Sequence, residues 1–227
     1  IKGKHKDRCF KYFQELDALL IRENHKDVWG IFNIESNAIE VKFTEPHPKK
    51  INTHTYNKTN FILYKSEYDT IKMLIHFVNP TNNIEAEKRR KELNKLLNPN
   101  IFKRTRRKVV IFFNVVKDAV LEIAGSVMTK SKISEGNKSK LLGTFKDNSL
   151  NNYSGENHQP IWENYIGKLV ILEQIIDNRK QEFVGVLKEY SANYILLYNV
   201  DYIDGSTTKK ADIIFPRSNA ILRHVLN

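Results

Sequence analysis

Apolar and polar residues alternate cleanly from Ala38 to Glu45, with Ile39, Val41 and Phe43 on one side. That period of two predicts a strand with one buried face. The same pattern is written twice. Val28-Trp29-Gly30-Ile31-Phe32 is followed by Ser36, Ile39, Val41 and Phe43; Phe183-Val184-Gly185-Val186-Leu187 is followed by Ser191, Tyr194, Leu196 and Tyr198. Gly30 to Ser36 and Gly185 to Ser191 have equal spacing, and the copies lie about 155 residues apart. A repeat at that distance predicts two similar small β units with different material between them.

In the first unit, Cys9, Phe10, Tyr12, Phe13 and Leu16 recur at helical spacing and predict a short amphipathic helix. Strands are expected at Ala18 to Glu23, Asp27 to Glu35, Ala38 to Glu45, Phe61 to Ser66 and Thr70 to Phe77. Pro46 and Pro48 are expected to end the third, since proline cannot donate to a ladder, and the polar residues 46–60 then read as a loop. The second unit repeats the order. A helical turn is expected around Trp162, Tyr165 and Ile166, with strands at Lys168 to Gln174, Glu182 to Tyr190, Asn193 to Val200, Ala211 to Phe215 and Ala220 to Val225. Asp204-Gly205-Ser206 marks a turn and Pro216 a break. Five extra residues separate Glu173 from Gly185 relative to Glu23 and Gly30, and their expected place is the hairpin tip Ile176 to Gln181.

Between the units the period changes. Ile84 to Leu97 is rich in strong helix formers, Asn98-Pro99-Asn100 interrupts it, and a second helix is expected from about Ile101 to Met128 with a broad apolar surface. Residues 129–159, rich in Lys, Ser, Asn and Gly, read as a flexible linker.

Charge sharpens this division. The net charge is +11, of which residues 1–78 carry +3, residues 79–158 carry +8 and residues 159–227 carry none. A cationic excess concentrated in space attracts polyanions such as nucleic acid or anionic headgroups. Cys9 is the only cysteine, which excludes an intrachain disulfide and fits a reducing compartment. The chain begins at Ile1 rather than methionine with a basic leader, Lys2 to Arg8. Such a leader is common just cytoplasmic of a membrane helix, so a segment upstream of residue 1 is expected.

A helix followed by five short bent strands, with glycine in the second, outlines a small barrel. Ile166-Gly167-Lys168-Leu169-Val170-Ile171-Leu172, then Gly185 to Ser191, then Asn193 and Ile195-Leu196-Leu197, resembles the first motif of the Sm-like family. Ile213-Ile214-Phe215-Pro216-Arg217-Ser218-Asn219-Ala220-Ile221 resembles a distant form of its second motif. The likeness is clearest at residues 166–221 and faint at 9–77. In that family an aspartate and an asparagine flank an RNA-binding loop; here Ser191 stands at the aspartate position, and Pro216-Arg217-Ser218 replaces the arginine-glycine of the second motif. A generic SH3-like barrel requires the same glycine and alternation, and a fold alone does not license RNA binding.

For chemistry, the chain offers no Gly-rich loop before a helix, no paired histidines at ligand spacing on one element and no nucleophile-elbow serine. His47 and His54 share a segment without a nearby cysteine, and Glu23 and Glu173 occupy matching strand ends where a carboxylate answers local positive charge. No enzyme, metal or cofactor is expected. The binding candidates are basic: Lys88, Arg89 and Arg90 on the first connector helix, and Lys103, Arg104, Arg106, Arg107 and Lys108 opening the second. Cations at a helix N-terminus oppose its dipole, a cost that phosphate or headgroup contacts would offset.

The expected architecture is therefore mainly β within an α+β class. A first Sm-like or SH3-like barrel (1–78) and a second (160–227), five-stranded each, are joined by a basic helical hairpin (79–130) and a linker (131–159). The expected function is a non-enzymatic scaffold or assembly module on the cytoplasmic face of a membrane, its connector contacting anionic lipid. The alternative is an RNA-binding Sm-like protein using the same connector. Homo-oligomers through exposed barrel edge strands are physically reasonable in either case.

Overall fold

Alternating burial along the chain builds the strands. In β2 (Val28–Ile34) the side of Val28, Gly30, Phe32 and Ile34 is buried while Trp29 and Ile31 face out. The structure, a computed structural model, describes residues 6–79, 83–97, 160–176 and 179–226. After a 3-10 turn at Phe10–Phe13 come β1 (Asp17–Arg22), β2, β3 (Ala38–Ile51), β4 (His54–Tyr64), a 3-10 turn at Lys65–Thr70, and β5 (Ile71–Phe77). The helices α1 (Asn83–Leu97) and α2 (Pro160–Glu163) follow, then β6 (Leu169–Ile176), β7 (Arg179–Tyr190), β8 (Tyr194–Asp204), β9 (Thr207–Pro216) and β10 (Ala220–Val225).

The described protein is mainly β, and its ten strands form one antiparallel sheet in the order β10-β6-β7-β8-β9-β5-β1-β2-β3-β4. Each repeat contributes five neighbours in the same internal order: fifth, first, second, third, fourth. The described residues up to Leu97 and from Tyr165 onward form one compact unit. Both repeats thus belong to one unit, whose core mixes Phe10, Phe13, Leu20, Phe32 and Leu74 with Val186, Tyr194, Leu196, Tyr198 and Ile214. The expected second connector helix and the linker lie outside the described residues.

Residues 46–60 differ from expectation. They are not a loop but the arms of the β3–β4 hairpin, paired from His47↔Lys58 to Ile51↔His54 beyond an irregularity between Lys42 and His47. Pro46 and Pro48 therefore lie inside β3. Both arms are solvent-exposed and project past the core. No buried face imposed an alternation there, which is why the sequence pattern read as loop. At their tip Asn52 adopts a left-handed φ of 55°, a conformation that asparagine tolerates.

The repeat also shifts by one residue. Two-residue turns at Ser36–Asn37 and Ala192–Asn193 are closed by Glu35 N–H to Ala38 O (2.9 Å) and Ser191 N–H to Tyr194 O (2.8 Å). A register break between Leu187 and Glu189 in the β7–β8 ladder inserts one residue that β2–β3 lacks. The turn positions make Glu35, rather than Ser36, the counterpart of Ser191.

Candidate functional site

The middle of the sheet is where the two repeats meet. β5 pairs with β9 through Leu74↔Ile214, Ile75↔Ile213, His76↔Asp212 and Phe77↔Ala211, and Val78 N–H extends the ladder to Lys210 O at 2.8 Å. Met73, Leu74 and Ile75 are buried, as are Ala211 to Phe215. Continuous burial of this kind belongs to strands covered on both faces. The join thus links the fifth strand of one repeat to the fourth of the other. The strands left at the ends of the sheet are a fourth, β4, and a fifth, β10.

The N-terminal segment reinforces the join. Phe10 packs on Tyr194 with ring centroids 4.3 Å apart, and Tyr12 meets Tyr198 edge-on at 6.3 Å. Arg8 Nη2 donates to Tyr190 O at 2.9 Å, and the Cys9 thiol lies 3.6 Å from Tyr194 O. Burial pushes the Cys9 thiol well above its ordinary range, with Asp7 and Glu189 adding to the effect.

Ser191 and Arg217, singled out by the resemblance to Sm-like motifs, are engaged internally. Ser191 is 5% exposed, and its Oγ accepts from Tyr194 N–H (3.0 Å) and Asn193 N–H (3.3 Å). Its side chain also hydrogen-bonds the Asp7 carboxyl, which burial raises above its usual range. Arg217 Nη1 donates to Ser191 O (2.8 Å) and Ala192 O (3.1 Å), and Arg217 N–H to Asn193 O (2.8 Å). Serine and arginine here tie off a turn.

The basic candidates separate by helical phase. On α1, Arg89, Glu92, Leu93 and Leu96 turn toward the sheet, and Leu93 and Leu96 pack against the core. Arg89 donates to the buried Asp212 carboxylate, lies over the Tyr198 ring at 4.4 Å and sits 3.9 Å from Glu92. Asp212 also accepts from Asn199 N–H at 3.0 Å; burial raises its pKa, and Arg89 only partly opposes that. Lys188 Nζ donates to Glu92 at 3.0 Å and lies over Tyr198 and Tyr12 at 4.6 and 5.1 Å. Burial disfavours the charged Glu92, but Lys188 and Arg89 together hold its carboxyl below the usual range. Lys88 and Arg90 are exposed. Lys103, Arg104, Arg106, Arg107 and Lys108 lie outside the described residues.

Glu173 receives Lys180 at 2.6 Å and Arg223 at 2.7 Å, and these bonds hold its carboxyl low. His47 and His54 sit on the exposed arms of the β3–β4 hairpin. Among the described residues no group of three His, Cys, Asp or Glu side chains is placed to hold a metal, and no helix is long and apolar enough to cross a membrane. Sequence reasoning missed the Arg89–Asp212 pair and an aromatic group at Trp29, Phe77 and Tyr202. One signal was present: Asp212 is the only charged residue in the apolar run from Ala211 to Phe215.

Comparison with protein-family models, curated proteins and solved structures finds no match to this chain.

Proposed function

We propose that the chain is a non-enzymatic assembly module of two degenerate Sm-like barrels that extends itself through its sheet edges. The observation that carries this reading is the β5–β9 ladder. Inside the molecule, a fifth-strand edge already pairs with a fourth-strand edge. The same two kinds of edge, β10 and β4, end the sheet. An edge strand presents unpaired backbone donors and acceptors, so the fourth strand of one molecule is a ready partner for the fifth strand of the next. Such head-to-tail contacts are heterologous and give rings or filaments. The identical strand order in both repeats, and Gly30 and Gly185 in the second strand of each, support the barrel reading.

The experiment is native mass spectrometry over a protein concentration series, with Ile62 on β4 and Ile221 on β10, both exposed, each replaced by lysine. Lysine on an edge blunts pairing. Concentration-dependent oligomers that either single variant reduces to monomer support the module; a monomer at every concentration removes it. The anionic contact of this reading falls to Lys88, Arg90 and the block Lys103 to Lys108. Arg89 is excluded because Asp212 already holds it. Replacing these exposed and block residues by glutamine should abolish sedimentation with anionic vesicles at low salt. Binding of single-stranded RNA instead, lost in the same variant, would move the reading to an RNA-associated module.

A further inference from the structure

At one end of the β5–β9 join, β1, β2, β5 and the β8–β9 hairpin enclose an open cleft of about 400 Å³. Its wall is aromatic. Trp29 stacks on Phe77 with centroids 5.7 Å apart and 16° between planes, and Tyr202 meets Phe77 edge-on at 5.8 Å. Trp29 keeps 39% of its surface exposed, so the aromatic wall is reached by solvent.

The polar rim is biased toward carboxylates. Asp17 accepts a hydrogen bond from the Trp29 side chain, Asp204 stands on the hairpin, and Asn79 adds a neutral amide. The His76 ring is occupied on one side, its Nδ1 lying 2.7 Å from Asp17 O. One cation is already present: Lys209 Nζ lies 5.1 Å from the Phe77 centroid and 2.7 Å from Asp204 Oδ2. Its side chain is 41% exposed and that of Asp204 51%, so the ion pair is weakly held. An ammonium or guanidinium over an aromatic face, with a carboxylate beside it, is the geometry of cation–π recognition. A phosphate-bearing ligand would meet Asp17 and Asp204 with like charge.

We propose that this cleft recognises a lysine or arginine side chain of a partner protein, and that Lys209 is the internal cation such a side chain displaces. The site is independent of edge assembly, since it uses neither β4 nor β10. Removing Lys209 should therefore strengthen binding, the reverse of what an anion site would do.

The test uses the full chain with Trp162→Phe, which leaves Trp29 as its only tryptophan. N-acetyl-arginine amide, N-acetyl-trimethyl-lysine amide and adenosine monophosphate are titrated in turn while Trp29 emission is recorded. Saturable quenching by either cation is expected, tightened roughly fivefold by Lys209→Met and weakened again by adding Asp204→Asn. Absence of saturable quenching by both cations in the Lys209→Met variant overturns the proposal. So does quenching by adenosine monophosphate that Lys209→Met abolishes, because the cleft would then be an anion or nucleotide site.

Discussion

The guanidinium of Arg89 on α1 donates to the buried carboxylate of Asp212 on β9, a contact between residues 123 positions apart in sequence. Asp212 faces His76 across the β5–β9 ladder and bonds the amide of Asn199, whose φ is 59°. One carboxylate thus gathers the connector helix, the strand that joins the repeats and an irregular point of β8. The charge that looked free in the sequence is a structural strap.

Replacing Arg89 by methionine should therefore destabilise the protein by about 3 kcal/mol or more, because a buried carboxylate loses its partner. The pH dependence has a definite sign. Asp212 has a folded pKa raised above its ordinary value by burial, so the folded state binds the proton more tightly than the unfolded chain. Ionisation of Asp212 then costs stability as pH rises from the ordinary carboxylate range through the raised value. Without Arg89 the pKa climbs further. Urea unfolding at pH 5 and pH 8 should show Arg89→Met losing more at pH 8; an equal loss at both would mean that Asp212 is not the affected group.

Much of the fold was legible where burial has one face. β10 occupies Ala220 to Val225 as the pattern predicts, and β2 alternates from Val28 to Ile34. The β5–β9 join was not read, although Met73-Leu74-Ile75 and Ile213-Ile214-Phe215 are unbroken apolar runs suited to strands covered on both sides. Such a run reports burial without naming a partner. Arg89 was not told apart from its neighbours for a related reason: Lys88, Arg89 and Arg90 look alike as a charge run. Only the helical phase of Arg89 with Leu93 and Leu96 separates the buried guanidinium from its exposed neighbours.

The two repeat glycines should not be equally sensitive. A Cβ on Gly30 would lie 2.2 Å from Lys42 O, a backbone atom held in the β2–β3 ladder. A Cβ on Gly185 would meet Val200 Cγ2 at 2.7 Å and Tyr198 O at 3.0 Å, and the valine methyl has some freedom to move. Gly30→Ala should cost about 3 kcal/mol or more and Gly185→Ala about 1–2 kcal/mol. Thermal unfolding of both variants would reverse this order if the β7–β8 face were the more tightly packed.

Ser191→Ala removes the acceptor for two turn amides and a hydrogen-bond partner of Asp7. A loss of about 1–3 kcal/mol is expected from the groups left unpaired. Amide hydrogen exchange should accelerate first at Asn193 and Tyr194. Unchanged exchange there would show that the Arg217 bonds to Ser191 O and Ala192 O hold the turn alone.

Cys9 offers a direct readout of the contact between the N-terminal segment and the second repeat. The thiol is fully buried, lies against Tyr194 O and is pushed well above its ordinary pKa by burial. A buried thiol is a poor nucleophile because the thiolate is the reactive form. Native protein at pH 8 should label with a disulfide reagent only on the timescale of opening, and in full after denaturation. Arg8→Ala removes the bond to Tyr190 O and the ion pair with Glu189 at 3.9 Å. Labelling should then quicken while the global unfolding midpoint moves little, since the strands of both repeats stay paired. Rapid native labelling of the unmutated chain would mean that the segment bearing Cys9 does not rest on β8.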